Sequence, residues 1–188
     1  MIAGIDEAGR GALAGPVVAA CVIFLNKKKE YNQYKDSKKT NHQERLKLYS
    51  TLKNSDAIIV SSIINHKQID QTNILEATMK AMSNCIKKLT IKPNTIIIDG
   101  NKKPLLKDYK IETCINGDNL IKEISAASII AKVIRDKIMT KYHNYIPEFN
   151  FAKHKGYGTK KHYEELAQYG PSKIHRKTFN LHSQLKLF

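Results

Sequence analysis

Tryptophan is absent from this chain of 188 residues, prolines number only five, and acidic residues are outnumbered by basic ones, 17 to 32. Cysteines are few: Cys21, Cys85 and Cys114 are widely spaced and odd in number. That excludes a disulfide framework and a zinc-binding spacing, and it points to reduced, mostly buried thiols in a cytoplasmic protein. Long apolar runs are lacking as well. The stretch from Pro16 to Leu25 is far short of the roughly 20 residues that a membrane span needs. It also lacks the basic start and small-residue cleavage site of a signal peptide, so no membrane partner is expected. With no repeats and no low-complexity linker, the expectation is a soluble monomer able to bury its own core.

What the chain has in excess is positive charge, a formal +15, and that charge is unevenly placed. From Asn150 to the end there are eight Lys or Arg, four His and only two acids, Glu164 and Glu165. Tyr157, Tyr163 and Tyr169 are interleaved with them, a mixture suited to phosphates and stacked sugars or bases. His154, His162, His175 and Arg176 are read here as surface or phosphate-contacting groups, with no catalytic role.

Periodicity gives an α/β fold class, a central mixed β-sheet flanked by helices. Apolar, β-branched strands are expected over Met1–Glu7, Val17–Leu25, Ala57–Ile64, Thr95–Ile98 and Lys110–Ile115. Asn41 and Glu44 have the spacing of a capping box, and Leu46, Tyr49 and Leu52 follow on one helical face. Further helices are expected over Asn73–Leu89, Leu120–Tyr142 and Lys160–Gln168, the last stopped by Gly170-Pro171. Lys27–Lys39 reads as a polar loop, and a basic helical segment closes the chain.

Two apolar strands end in an acid, Ile5-Asp6 and Ile98-Asp99, and Asp118 follows a third strand and a glycine. A carboxylate just past a buried run sits at the rim of a sheet, where ligands bind. Several acids at one rim repel unless a cation lies among them, so Asp6, Glu7, Asp99 and Asp118 are candidate metal ligands. Oxygen donors suit Mg2+ or Mn2+, whereas zinc would favour His and Cys. Asp6 and Glu7 pose one difficulty, because successive strand residues point to opposite faces. Either the strand ends or bulges there, or the pair serves two ions from two sides.

The segment Gly4-Ile-Asp6-Glu7-Ala-Gly9-Arg10-Gly11 resembles the opening motif of bacterial ribonuclease HII. The likeness continues through Asp36-Ser37-Lys38-Lys39, Ile98-Asp99-Gly100-Asn101, Gly117-Asp118, Ser125–Ile129 and Arg135-Asp136. It closes with His154-Lys-Gly156-Tyr157 and Ile174-His175-Arg176, so it spans nearly the whole chain in order. Ala12 and Thr40 stand where the family often has proline and leucine. The resemblance implies a ribonuclease H-like fold and endonucleolytic cleavage of the RNA strand in RNA–DNA hybrids. It also implies incision 5′ of ribonucleotides embedded in duplex DNA, with two divalent ions in the reacting complex. By the same resemblance, Asp6, Glu7, Asp99 and Asp118 are the catalytic metal ligands, and Gly9, Arg10 and Gly11 read the ribose 2′-hydroxyl. Tyr157 packs on the next sugar, and Asp136 is structural. Lys38 and Lys39 are expected to contact backbone phosphates. Residues 1–145 would form the catalytic domain, with 146–188 packed on it. The alternatives are a ribonuclease HIII-like or other nuclease of this fold, and a non-catalytic nucleic-acid-binding protein whose acids cap turns.

Overall fold

The computed structural model describes residues 1–26, 31, 33–34 and 40–182. Five strands, β1 (Ile2–Ala8), β2 (Val17–Ile23), β3 (Ile58–Ile64), β4 (Thr95–Asp99) and β5 (Ile111–Cys114), form one sheet in the order β3-β2-β1-β4-β5. The first three are antiparallel neighbours, while β4 lies parallel to β1 and β5 parallel to β4, so the sheet is mixed. Seven helices accompany it among the described residues: α1 (His42–Lys53), α2 (His66–Gln71), α3 (Ile74–Lys87), α4 (Gly117–Leu120), α5 (Lys122–Tyr145), α6 (Phe151–His154) and α7 (Lys160–Tyr169).

Strand alternation divides the core into two layers. Ala3, Ile5, Val17, Ala19, Cys21, Ile96 and Ile98 pack with Ala77, Ala81, Met82 and Cys85 of α3. On the opposite face, Ala8, Val18, Ala20 and Val22 meet Ala126, Ala127, Ile130 and Ala131 of α5, with Leu52 of α1. β2 is buried along its whole length, which is why it reads as a continuous apolar run. Helix α5 lies directly on β1 because Gly4 has no side chain: a Cβ there would sit 2.2 Å from the Glu123 carbonyl carbon.

A third cluster gathers Leu13 and Ala14, from the turn after β1, with Met139, Ile146, Phe149, Phe151, Leu166 and Ile174. Residues from both ends of the sequence therefore share one core around that turn.

The helix starts follow their caps. Asn41 forms a reciprocal capping box with Glu44, Asn65 does the same with Gln68, and the Asn73 side chain accepts from the Glu76 amide. Three expectations are corrected. Tyr31 and Tyr34, within the stretch read as a polar loop, are buried against Phe24, with ring centroids 4.0 and 5.7 Å away. Helix α2 is not foreseen from the sequence, because six residues show too little periodicity. The closing segment is helical only in α6 and α7; residues 170–182 follow an irregular path back over the turn after β1.

Candidate active site

Asp6 and Glu7 lie on an unbroken strand. β1 pairs regularly with β2 through Asp6↔Ala20, Glu7↔Ala19 and Ala8↔Val18, so neither a bulge nor a strand end separates the two acids. On the other side, the pairing with β4 stops at Ile5↔Ile98, so Asp6 and Asp99 are the next residues on neighbouring parallel strands. With Ile5 and Ile98 both facing α3, alternation places Asp6 and Asp99 together on the α5 face. Burial, reinforced by the Glu7 charge and then by Asp99, raises the Asp6 carboxyl well above the ordinary aspartate value; the Ser128 hydroxyl pulls the other way. Burial also raises Glu7, against the opposing charge of Arg10, whose Nη1 is 3.2 Å from Glu7 Oε1.

Asp118 reaches this region through α4. The Gly117 amide donates to Asp99 Oδ1 at 2.7 Å, fixing the start of that helix to the end of β4, and Asp118 is 1% exposed. Three of the four acids are thus electrostatically coupled, and the fourth sits one residue from a direct tether to them. Among the described residues no group of three or more His, Cys, Asp or Glu side chains stands close enough to hold a metal ion, so the four acids are not gathered into one ready-made site.

Beside Glu7 a cleft of about 400 Å³ is lined by Arg10, Arg45, Ser128, Lys132 and Tyr157. Arg45, from α1, donates to the Thr40 carbonyl at 2.8 Å, and Lys132 pairs with Asp136 at 2.7 Å. The half-buried Tyr157 ring has Lys132 Nζ 5.5 Å and the Arg135 guanidinium carbon 4.9 Å from its centroid. Sequence reasoning missed Arg45, Ser128 and Lys132 as cleft residues. Their α5 spacing of four, Ser128 to Lys132, was the available signal. Lys38 and Lys39 lie outside the described residues. Of the three tyrosines in the basic stretch, only Tyr157 lines the cleft; Tyr163 packs into the third core and Tyr169 is half exposed.

The histidines are corrected from surface groups to core. His154, His162 and His175 are buried with Phe149 and Phe151 around them. The Ser172 amide donates to His175 Nδ1, so His175 Nε2–H must donate to His162 Nε2 at 2.9 Å, while His162 Nδ1–H donates to the Tyr157 carbonyl. The two accepting nitrogens, His175 Nδ1 and His162 Nε2, require both rings to be neutral. Burial pushes His162 and His175 down to about 4, with the neighbouring rings, His154 and His162 respectively, adding to the effect. The native state therefore takes up fewer protons than the unfolded chain between about pH 6.5 and 4, and stability falls as pH falls through that window. Wild type is expected to lose on the order of 2 kcal/mol more than His162→Gln between pH 7 and pH 5. Denaturant unfolding at the two pH values measures this, and equal losses would contradict it.

A mixed five-stranded sheet with helices on both faces and acids at the ends of its adjacent central strands is the ribonuclease H-like fold. Solved structures share it: the ribonuclease HII of Archaeoglobus fulgidus, determined in a complex with PCNA, superposes with a TM-score of 0.83 at 22% identity, covering 98% of this chain and 97% of that one. Bst-RNase HIII in complex with Mn2+ gives 0.73 at 15% identity, over 96% of this chain and 67% of that one. The family model for ribonuclease HII matches residues 3–182. The ribonuclease HII of Syntrophus aciditrophicus is 45% identical over 97% of this chain and 85% of its own length. The chain belongs to the ribonuclease HII family, and with it to the endoribonucleases of the ribonuclease H type.

Proposed function

We propose that the protein cleaves the RNA strand of RNA–DNA hybrids and incises duplex DNA on the 5′ side of an embedded ribonucleotide, with two divalent ions in the reacting complex. The observation that carries this reading is the strand register that sets Asp6 beside Asp99 at one rim of the sheet, with Glu7 next along β1, beside a cleft lined by cations. Burial makes the Asp6 and Glu7 carboxylates reluctant to ionise alone, and the donor set is entirely oxygen, so Mg2+ or Mn2+ fits the site. Asp6, Glu7, Asp99 and Asp118 would hold the ions. When bound, such ions supply an acidified water and neutralise charge on the leaving oxygen. Hydrolysis would join a water oxygen to phosphorus and break the bond to O3′, leaving a 3′-hydroxyl and a 5′-phosphate.

The chain's own groups do the positioning. Arg10, Arg45 and Lys132 draw phosphates into the cleft. The Tyr157 face receives the sugar that follows the ribonucleotide, and the Gly9–Gly11 backbone approaches the 2′-hydroxyl, the one group that separates RNA from DNA at a single nucleotide. Residues 1–145 are proposed as the catalytic part, with the segment from 146 onward packed on it; the core shared by Leu13, Met139, Phe151 and Ile174 supports that packing. Free Cys21 and Cys85 support work in the reducing cytoplasm, and we propose a monomer there.

The experiment is incubation with a labelled duplex carrying one ribonucleotide, with Mn2+, Mg2+ or EDTA. A single cut 5′ of the ribonucleotide, dependent on the metal, is expected. Cleavage that persists in EDTA, or none at all, would reject the proposal.

A further inference from the structure

Two guanidinium groups, Arg135 and Arg176, are completely buried beneath the turn that joins β1 to β2. Among the described residues neither forms an ion pair; both spend their donors on carbonyl oxygens of the turn. Arg176 donates to Gly9 O at 2.7 Å, Arg10 O at 2.9 Å and Gly15 O at 3.0 Å, and Arg135 donates to Pro16 O at 3.0 Å and Ala14 O at 3.1 Å. Burial and the charge of Arg135 push Arg176 down to about 9, and Arg135 Nη1 has no hydrogen-bond partner. Two unpaired buried cations that repel each other are an expensive way to fill space, since apolar side chains of similar volume would serve stability better.

The peptide geometry shows what the expense achieves. In a trans peptide the C=O and the following N–H point in opposite directions, and the described chain has no cis bond. Holding the Gly9 and Arg10 carbonyls inward therefore turns the N–H groups of Arg10 and Gly11 outward. Both residues are exposed, and neither amide finds a protein acceptor among the described residues.

We propose that Arg176 and Arg135 are positioning residues that preset the turn, so that the Arg10 and Gly11 amides meet the ribonucleotide as a fixed pair of donors. The inference rests on the reading of the cleft given above. Lysine cannot span three carbonyls as the planar guanidinium does. In Arg176→Lys, kcat at a single embedded ribonucleotide falls on the order of tenfold to a hundredfold, and the cut spreads to neighbouring bonds. The Kd for the same duplex changes by less than about twofold, and Mn2+ affinity is unchanged. Hydrogen exchange rises in residues 9–16 but not in β1 or β4.

Unchanged cleavage fidelity, or exchange rising evenly through the sheet, overturns the proposal and leaves a purely structural pair. If Arg176→Lys does not fold, Arg135→Lys carries the same comparison; failure of both to fold assigns the arginines to the core and also overturns it. Should the wild type itself not cut at the ribonucleotide, the functional reading fails, and the exchange pattern alone decides whether the pair presets the turn.

Discussion

Asp6→Asn is expected to abolish cleavage and, at the same time, to make the metal-free protein more stable at neutral pH. Burial, and then the charges of Glu7 and Asp99, raise the folded Asp6 carboxyl above its unfolded value. A group raised in this way contributes stability below the unfolded pKa and loses it as pH rises through the folded pKa. At neutral pH the wild type therefore carries the penalty of an ionised, crowded carboxylate, and the isosteric amide does not. Asn keeps an oxygen that can accept from the Glu7 amide, which now donates to Asp6 Oδ1 at 2.7 Å. The melting temperature should rise by a few degrees, since ~1 kcal/mol corresponds to about 2–4 °C at this chain length. Cleavage should fall on the order of 10³-fold, because the neutral amide gives up the charge that would hold an ion. Hybrid binding, which the proposal assigns to Arg10, Arg45 and Lys132, should be retained. Calorimetry, filter binding and a cleavage assay on one preparation decide it; a less stable variant that still cuts would contradict both halves.

Gly9→Ala and Gly11→Ala should part company just as sharply. Gly9 has φ +99°, and a Cβ there would lie 2.1 Å from Arg135 Nε and 2.7 Å from the Pro16 carbonyl oxygen. Strain and collision together should cost at least ~3 kcal/mol, seen as a melting temperature lower by about 6–12 °C. Gly11 has no such need: a Cβ added there would meet nothing within 4 Å, and its φ is not left-handed. Its missing side chain keeps open space in front of the exposed turn. Gly11→Ala should melt within about 1 °C of wild type yet cut a single ribonucleotide at least tenfold more slowly, because a methyl group would stand where the sugar approaches. Equal melting losses for the two variants would contradict this division of roles.

Much of the fold was legible because its signals are local. The apolar runs of β1 and β4, the Asn41 cap and the Gly170 stop each act within a few residues. The same locality made the acids conspicuous, since a carboxylate after a buried run announces a sheet rim. That Asp6 and Asp99 are neighbours was not legible; it follows from β4 adding parallel to β1, a pairing between strands far apart in the chain. The histidines misled for a related reason. In sequence they stand among lysines, and only the closure of residues 149–176 around the turn after β1 encloses them. Arg135 and Arg176 are hidden likewise, because a guanidinium that satisfies distant carbonyls looks in sequence like any other surface cation. Glycine was ambiguous in the same way: Gly9 and Gly11 are alike in the motif, and only the packing of Arg135 tells them apart.

The measurement that bears most directly on the shared acidic centre is anomalous scattering from Mn2+ in crystals of the protein bound to a ribonucleotide-containing duplex with a non-hydrolysable linkage. Manganese peaks within ligating distance of Asp6 and Asp99, with Glu7 and Asp118 completing the surroundings, are the expected result. Manganese bound elsewhere, with those four side chains left without an ion while the duplex is in place, would contradict it.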